Sequence, residues 1–356
     1  MNAIFLLMLL FVPGRYLCNG HPVYVGIEHD LPDPSVNQIY PACRGPLQLT
    51  HGMQEERRIV NAPQGRLGVS LYYAGSGARA TVILVHGNDA ETREMGYLVP
   101  LFVSNGINVI SYDQRGTGES VGNWFLSGPQ DRAEDVYAIM DSYAHHPHID
   151  RARLGIWGFS NGGWTAPLVA VHRPLAFVIL KSAPAESVRA NSEFEVVQQM
   201  HHYHESPEHV AAALTMVHAL LGALDGTVSW DDAGAIYTNA KAQPWFKHSL
   251  MIDMPMPPPK ALQAGLRRSL AYDPTTTLNE LRTPTLALYG TADIRVDVPD
   301  SSKRLSAYLK HAGNHQFTMR FYPGAGHTLK GTTSPEDTID WLRSRHLTVP
   351  CDSSCS

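Results

Sequence analysis

A serine flanked by glycines is the residue of this sequence best suited to covalent chemistry. Ser160 lies in the segment 158–162, Gly-Phe-Ser-Asn-Gly, and Gly163 follows directly. A sharp strand-to-helix turn requires small residues two positions before and after such a serine, because larger side chains would collide with the adjacent strand and helix. The turn would lift the Ser160 hydroxyl above a sheet, at the positive end of the next helix. The segment therefore predicts a nucleophile rather than a plain Gly/Ser connection.

A serine hydroxyl needs a base, and that base needs a carboxylate to orient it. The chain has 18 histidines, so position rather than residue type selects His327, which follows a predicted strand and precedes the last predicted helix. Asp293 follows an earlier strand in the same way, which gives the chain order Ser, Asp, His. Asp297, four residues later, is a rival for this role. The alternative for Asp293 itself is a turn residue that bonds only its own backbone, as an Asp in a turn commonly does.

The negative oxygen of an acyl-transfer intermediate needs backbone N–H donors. One comes from the residue after the nucleophile, Asn161, and the other from the loop after an early strand, where His86-Gly87-Asn88 stands. We expect Asn88 and Asn161 to supply the two N–H groups. We expect His86 to be structural.

Strands and helices that could position these residues alternate along the chain. Helical spacing of apolar residues over 129–143 indicates a helix with one face on a sheet. Predicted strands cover 66–73, 81–85, 107–112, 154–159, 176–180, 285–289 and 319–322, and further helices cover 93–104, 162–172 and 335–345. The alternation predicts an α/β protein with a mainly parallel sheet covered by helices on both faces.

The alternation breaks over residues 185–272, which are rich in His, Met and Pro but include a helical stretch, 210–221. We interpret this segment, called the cap below, as a mostly helical insertion over the carboxyl ends of the strands, where open α/β sheets bind ligands. The core then consists of residues 53–184 and 273–348.

Five motifs together resemble the α/β-hydrolase superfamily, over about Leu67 to His346 without the cap. They are His86-Gly87-Asn88, the segment 113–120 (Asp-Gln-Arg-Gly-Thr-Gly-Glu-Ser), the segment 158–163, the segment 290–293 and Gly326-His327. Within the superfamily the chain resembles the carboxylesterase, serine aminopeptidase and dienelactone-hydrolase-like branches. One departure is Pro167, which removes a helical N–H seven residues after the nucleophile.

The resemblance implies an α/β-hydrolase fold and the triad roles for Ser160, Asp293 and His327. It also implies hydrolysis of an ester, thioester or peptide bond through an acyl-enzyme. A serine at the turn argues against the dehalogenase and epoxide hydrolase members, in which the resemblance implies an aspartate. The leading hypothesis is a cofactor-free carboxylic ester hydrolase for a small or medium, largely apolar acyl substrate.

Two alternatives stay open. An exopeptidase or amidase would use the same triad, and Glu193 and Glu195 in the cap are the candidates to hold a substrate amine. A non-catalytic binding protein on the same fold is the second alternative, because fold alone does not establish activity.

Composition narrows the possible partners. A net charge of -5 and a pI near 6.4 leave no broad basic surface, so we expect no nucleic-acid partner. His201-His202-Tyr203-His204 with His209, and His145-His146-Pro147-His148, lack the ligand spacing of known zinc motifs, so we expect no metal. The sequence does not predict the oligomeric state.

The chain ends carry separate signals. An apolar run from Ala3 to Val12 predicts a secretory signal peptide over residues 1–20, followed by an N-terminal extension over 21–52, and it is too short for a stable membrane span. We therefore expect a secreted or periplasmic protein. In the C-terminal tail, 349–356, Cys351 and Cys355 are spaced to close a small disulfide loop or else stay unpaired.

Overall fold

Eight strands form one sheet that crosses the core. The computed structural model describes residues 53–349, together with the backbone of two short strands, Gly14–Cys18 (β1) and His21–Val25 (β2), which pair antiparallel. Most of the predicted signal peptide and extension, and Cys351 and Cys355, lie outside the described residues, so those interpretations stay predictions.

The sheet has the order β10-β9-β8-β7-β5-β6-β4-β3. Its strands are Met53–Ala62 (β3), Gly65–Ala74 (β4), Arg79–Val85 (β5), Asn108–Tyr112 (β6), Ile149–Phe159 (β7), Phe177–Lys181 (β8), Thr285–Gly290 (β9) and Phe317–Tyr322 (β10). The six strands from β5 to β10 pair in parallel, whereas β4 and β3 run antiparallel at one edge. The predicted mainly parallel sheet is confirmed.

Strand β5 shows why these segments form a central sheet. Six of its seven residues are buried, with Ile83 and Val85 in one hydrophobic core and Val82 and Leu84 in the other. Successive strand residues point to opposite faces, so a continuous apolar run supplies both cores at once.

Helices cover both faces, as expected. Leu98–Ser104 (α1) and Ser334–Arg343 (α10) pack on one face, and Pro129–Ser142 (α2), Gly162–His172 (α3) and Val298–His311 (α9) pack on the other. Helix α3 continues through the buried Pro167. A short helix, Thr275–Glu280 (α8), precedes β9.

The cap is helical and has its own hydrophobic core. It contains Val188–His202 (α4), Pro207–Asp225 (α5), Trp230–Lys241 (α6), a 3₁₀ turn at Pro244–His248 and Lys260–Leu270 (α7). Helices α4, α5 and α6 each begin after a serine whose hydroxyl accepts a backbone N–H, a common N-cap. Among the described residues, α5 is the one helix long and apolar enough to cross a membrane, and half of that stretch is buried in the protein.

Several elements differ from the sequence predictions. Strand β3 was not predicted, because it lies at the edge and carries charged residues instead of an apolar run. Helix α1 begins at Leu98 instead of residue 93, since Gly96 adopts a φ of 55° that an α-helix does not accommodate. Helices α8 and α9 were not predicted either.

Candidate active site

Ser160 lies in a tight turn between β7 and α3. Its φ is 51°, in the left-handed region that non-glycine residues rarely adopt. Two backbone hydrogen bonds hold this conformation: the N–H of Ser160 donates to the carbonyl of Lys181 on β8 at 2.9 Å, and its carbonyl accepts from Gly163 at 2.7 Å. A strained residue held by its surroundings is typical of a functional turn.

The glycines around Ser160 are required by close packing. A Cβ on Gly158 would lie 2.3 Å from the carbonyl oxygen of Gly162, and one on Gly162 would lie 2.5 Å from that of Val85. A Cβ on Gly163 would lie 2.2 Å from the Cβ of Ala183, after β8. The small residues thus let helix α3 approach two strand ends.

Asp293 and His327 meet at the same edge of the sheet. Oδ2 of Asp293 lies 2.8 Å from Nδ1 of His327, and the Asp293 side chain is fully buried. The histidine ring lies against the ring of Phe159, with centroids 5.0 Å apart, and its backbone carbonyl accepts the Ser182 hydroxyl at 2.6 Å. An Nδ1–H bonded to a carboxylate leaves Nε2 as the basic nitrogen, the tautomer that a triad needs.

Asp297 has a different role. Its side chain accepts the backbone N–H of Asp300 at 3.1 Å and caps helix α9. The contact with His327 therefore belongs to Asp293, and the geometry favours Asp293 of the two candidates.

The backbone N–H groups of Asn161 and Asn88 are among those that have no hydrogen-bond acceptor within residues 53–349. Gly87, before Asn88, lies against the nucleophile turn, because a Cβ on it would come within 3.5 Å of the Ser160 Cβ. His86 has structural contacts, with Nε2 2.6 Å from the carbonyl of Tyr112 and Nδ1 3.1 Å from Glu91. The loop after β5, residues 86–92 and called the β5 loop below, thus offers a free N–H beside the serine.

One cap carboxylate faces the site. Glu195 on α4 is partly buried, and burial raises its pKa to about 7 against the opposing charges of Arg295 and His327. Glu193, the other cap candidate, lies 3.6 Å from His218 on α5. The structure therefore distinguishes the two glutamates that the sequence could not.

One histidine of each cluster lies against a carboxylate, as does His248. Nδ1 atoms of His209 and His248 both lie against Glu205, at 2.7 and 2.6 Å, and His146 lies 2.9 Å from Glu56. In the described part of the chain, no group of three or more His, Cys, Asp or Glu side chains is arranged to hold a metal ion.

Sequence reasoning missed two polar side chains behind the β5 loop, Arg132 and Gln114. Both donate to the carbonyl of Gly87, at 2.7 and 3.0 Å. A weak sequence signal existed for Arg132, because a charged residue stands on the apolar face of the helix predicted over 129–143.

One protein-family model matches most of the chain. The family model described as serine aminopeptidase, S33, matches residues 76–331. That stretch contains the Ser160 turn, Asp293, His327 and the cap.

Curated relatives match shorter stretches. A thiohydrolase of Aspergillus aculeatus is 30% identical over 96 residues, which are 26% of this chain and 30% of the relative. An uncharacterised protein of Mycobacterium tuberculosis is 29% identical over 153 residues, 42% of this chain and 49% of the relative. The chain thus spans about a third to a half of the length of these relatives.

Solved structures agree in fold. An esterase of Pyrococcus furiosus has a TM-score of 0.53 at 16% identity, covering 82% of this chain and 91% of its own. A hypothetical protein of Pseudomonas aeruginosa has a TM-score of 0.55 at 16% identity, with 85% and 96% covered. An α/β hydrolase of a Penicillium species has a TM-score of 0.53 at 18% identity, with 83% and 99% covered. The predicted α/β-hydrolase fold is confirmed.

Proposed function

This chain belongs to the serine aminopeptidase S33 family of α/β-hydrolases, and from that premise we propose that it is a serine hydrolase that cleaves a carboxylic ester. The observation that carries the proposal is the 2.8 Å contact of Asp293 with His327 at the sheet edge that also presents Ser160. The substrate is a small or medium, largely apolar acyl ester, and the triad chemistry needs no cofactor.

Each residue has one task in the proposed reaction. The Ser160 oxygen attacks the carbonyl carbon while its proton passes to Nε2 of His327, and Asp293 stabilises the imidazolium through Nδ1. The N–H groups of Asn88 and Asn161 bind the negative oxygen. His327 then protonates the departing alcohol, which leaves an acyl group on Ser160. Water attacks this group with His327 again as the base, releasing the acid and restoring the serine.

A fluorophosphonate probe tests the nucleophile. We expect labelling of the full-length wild type and none of a folded Ser160→Ala variant, with circular dichroism as the check on folding. Ser182→Ala is the matched comparison: Ser182 also follows a strand with a positive φ, 48°, but its hydroxyl already donates to His327. We expect that variant to be labelled. Well-folded wild type without Ser160-dependent labelling would favour a non-catalytic binding protein.

A second candidate function, an exopeptidase or amidase with the same triad, is favoured by Glu195. A carboxylate that ionises as the pH rises through about 7 is suited to a substrate amine, and the electrostatic partners of Glu195 include Asp293 and His327. Thioesters belong among the substrates to test, because a matched relative is named a thiohydrolase.

Substrate panels separate these classes. p-Nitrophenyl esters of rising acyl length, the corresponding thioesters and aminoacyl anilides would be compared at equal enzyme concentration. Faster ester turnover that is unchanged in Glu195→Gln supports the esterase. Anilide turnover whose KM rises in Glu195→Gln but not in Glu193→Gln supports the exopeptidase.

We further propose export, from the apolar run at residues 3–12. The check is the intact mass of the protein recovered from the medium or periplasm, which should lack about the first 20 residues. An unprocessed chain retained inside the cell would contradict export.

A further inference from the structure

Arg132 on helix α2 donates hydrogen bonds to three oxygen atoms, two of which belong to the β5 loop beside the Ser160 turn. Nη1 lies 2.7 Å from the carbonyl of Gly87, Nη2 lies 3.2 Å from Oδ1 of Asn88, and Nε lies 3.2 Å from the carbonyl of Ser127. Arg132 is only 5% exposed. Because a guanidinium carries its donors in one rigid plane, this side chain fixes two successive residues of the β5 loop relative to helix α2.

The contact with Gly87 determines the direction of the Asn88 N–H. These two groups belong to one peptide unit, and in a trans peptide the C=O and the N–H point in opposite directions. The one cis peptide among residues 53–349 joins Met256 to Pro257, so the Gly87–Asn88 peptide is trans. With its carbonyl bonded to Arg132 and Gln114, this unit turns the Asn88 N–H away from helix α2.

The other end of Gly87 is held as well. Its N–H faces the carboxylate of Glu91, which also lies 3.1 Å from Nδ1 of His86. The Cα of Gly87 lies so close to the nucleophile turn that an added Cβ would be 3.1 Å from the Phe159 ring. The β5 loop is therefore fixed around the Gly87–Asn88 peptide, which carries the Asn88 N–H next to the nucleophile turn.

From this geometry we infer that Arg132 is the positioning residue of the oxyanion site: it holds the Gly87 carbonyl and so aims the Asn88 N–H at the substrate oxygen. The inference rests on the proposed function. A charged donor on the carbonyl also polarises the amide, which makes its N–H a stronger donor. Arg132 acts through the peptide and does not touch the reacting atoms.

The attachment of helix α2 to the β5 loop does not by itself explain why the buried residue is an arginine. A buried guanidinium costs desolvation free energy that an apolar side chain of similar length would avoid. The three hydrogen bonds of Arg132 go to uncharged oxygens, and two of these belong to the β5 loop. Its neighbour Arg115 is also buried but donates to the carboxylate of Asp135.

The test compares Arg132→Lys with Arg115→Lys in the full-length protein. Both changes keep the charge and remove the planar fork, but only the first breaks contacts to the β5 loop. With a p-nitrophenyl ester, we expect Arg132→Lys to lower kcat by about 10- to 100-fold with KM within about threefold, because oxyanion donors act in the transition state. Arg115→Lys should keep kcat within about threefold at temperatures where it stays folded.

A second variant keeps the inference testable if Arg132→Lys does not fold. Gln114→Ala removes the other donor to Gly87 and should lower kcat by about 3- to 10-fold, again without a matching rise in KM. Wild-type kcat in both folded variants, or a loss confined to KM, would overturn the role of Arg132.

A structural readout separates this inference from the proposed function. A crystal structure of Arg132→Lys should show the Gly87–Asn88 peptide rotated, and an unchanged peptide overturns the inference whatever the activity. Loss of the proposed function has a different signature: the wild type itself would not be labelled at Ser160 by the fluorophosphonate.

Discussion

Among single residues, Asp293 divides its two carboxylate oxygens between two tasks. Oδ1 accepts the backbone N–H groups of Arg295 and Val296, at 2.7 and 3.1 Å, whereas Oδ2 accepts from His327. In the sequence, a turn in which Asp293 bonds only the local backbone is the alternative to a catalytic role. In the structure, that same turn holds the carboxylate in place for the histidine. Closing the turn and orienting the base are compatible because a carboxylate has two acceptor oxygens.

Substitution of the two aspartates separates their roles. We expect Asp293→Asn to lower kcat by about 10³- to 10⁴-fold, because an amide at this position favours the wrong histidine tautomer. Asp297→Asn keeps a side-chain oxygen that can cap helix α9, so its kcat should stay within about twofold and its stability within about 0.5 kcal/mol. Steady-state kinetics and urea unfolding measure both. Equal losses of kcat in the two variants would contradict the assignment of Asp293.

Position along the chain was enough to predict the site residues that follow strands. It was not enough to predict the residues that contact the site from distant segments. Ser160, Asp293 and His327 each lie in the turn or loop that follows a strand, so a local pattern was enough to nominate them. Arg132 reaches Gly87 across 45 positions of the chain, and that distance closes only when helix α2 packs on the sheet. A contact between distant segments has no local sequence signature.

Among the elements, the core strands were predictable because each has a short run of apolar residues that ends at a turn. The cap helices were harder to predict: α4 and α6 have few buried positions and mixed composition, and their ends depend on serine caps. Strand β3 was missed because the antiparallel edge needs no apolar run.

Helix α3 packs closely on the ends of the strands. A Cβ on Gly163 would lie 2.2 Å from Ala183, so Gly163→Ala must displace α3 or the end of β8. We expect a loss of about 1–3 kcal/mol in the free energy of unfolding, the usual cost of overpacking, and slower fluorophosphonate labelling because Ser160 moves with the helix. Gly326→Ala is the control, since an added Cβ there meets nothing within 4 Å. Equal stability of the two variants would contradict this account of the turn.

In the molecule as a whole, charged residues of the core act on a carboxyl group of the cap. Glu195 comes from cap helix α4, and the charges that act on its carboxyl, those of Arg295, His327, Asp293 and Asp89, come from the core. The sequence does not separate Glu195 from Glu193, because the direction in which each side of a helix faces depends on how the cap packs. The cap therefore contributes a titratable group to a site whose proposed catalytic residues all belong to the core.

Glu195 makes stability depend on pH in a defined direction. Its pKa rises from 4.5 to about 7 on folding, mainly through burial, so the folded state keeps a proton that the unfolded chain has already lost. This contribution is complete below about pH 4.5 and is lost as the pH rises through about 7. Glutamine resembles the protonated acid at every pH. Relative to wild type, Glu195→Gln should therefore gain about 1–2 kcal/mol between about pH 5.5 and about pH 8.5, after allowance for solvent screening.

Urea unfolding of wild type and Glu195→Gln at the two pH values measures this gain directly. Glu193→Gln is the matched control, since Glu193 lies on the same helix but pairs with His218 instead of facing the triad. We expect the control to follow the wild-type pH dependence. A Glu195→Gln variant that also follows it would mean that Glu195 ionises as freely as in the unfolded chain, and the cap would then add no buried titratable group to the site.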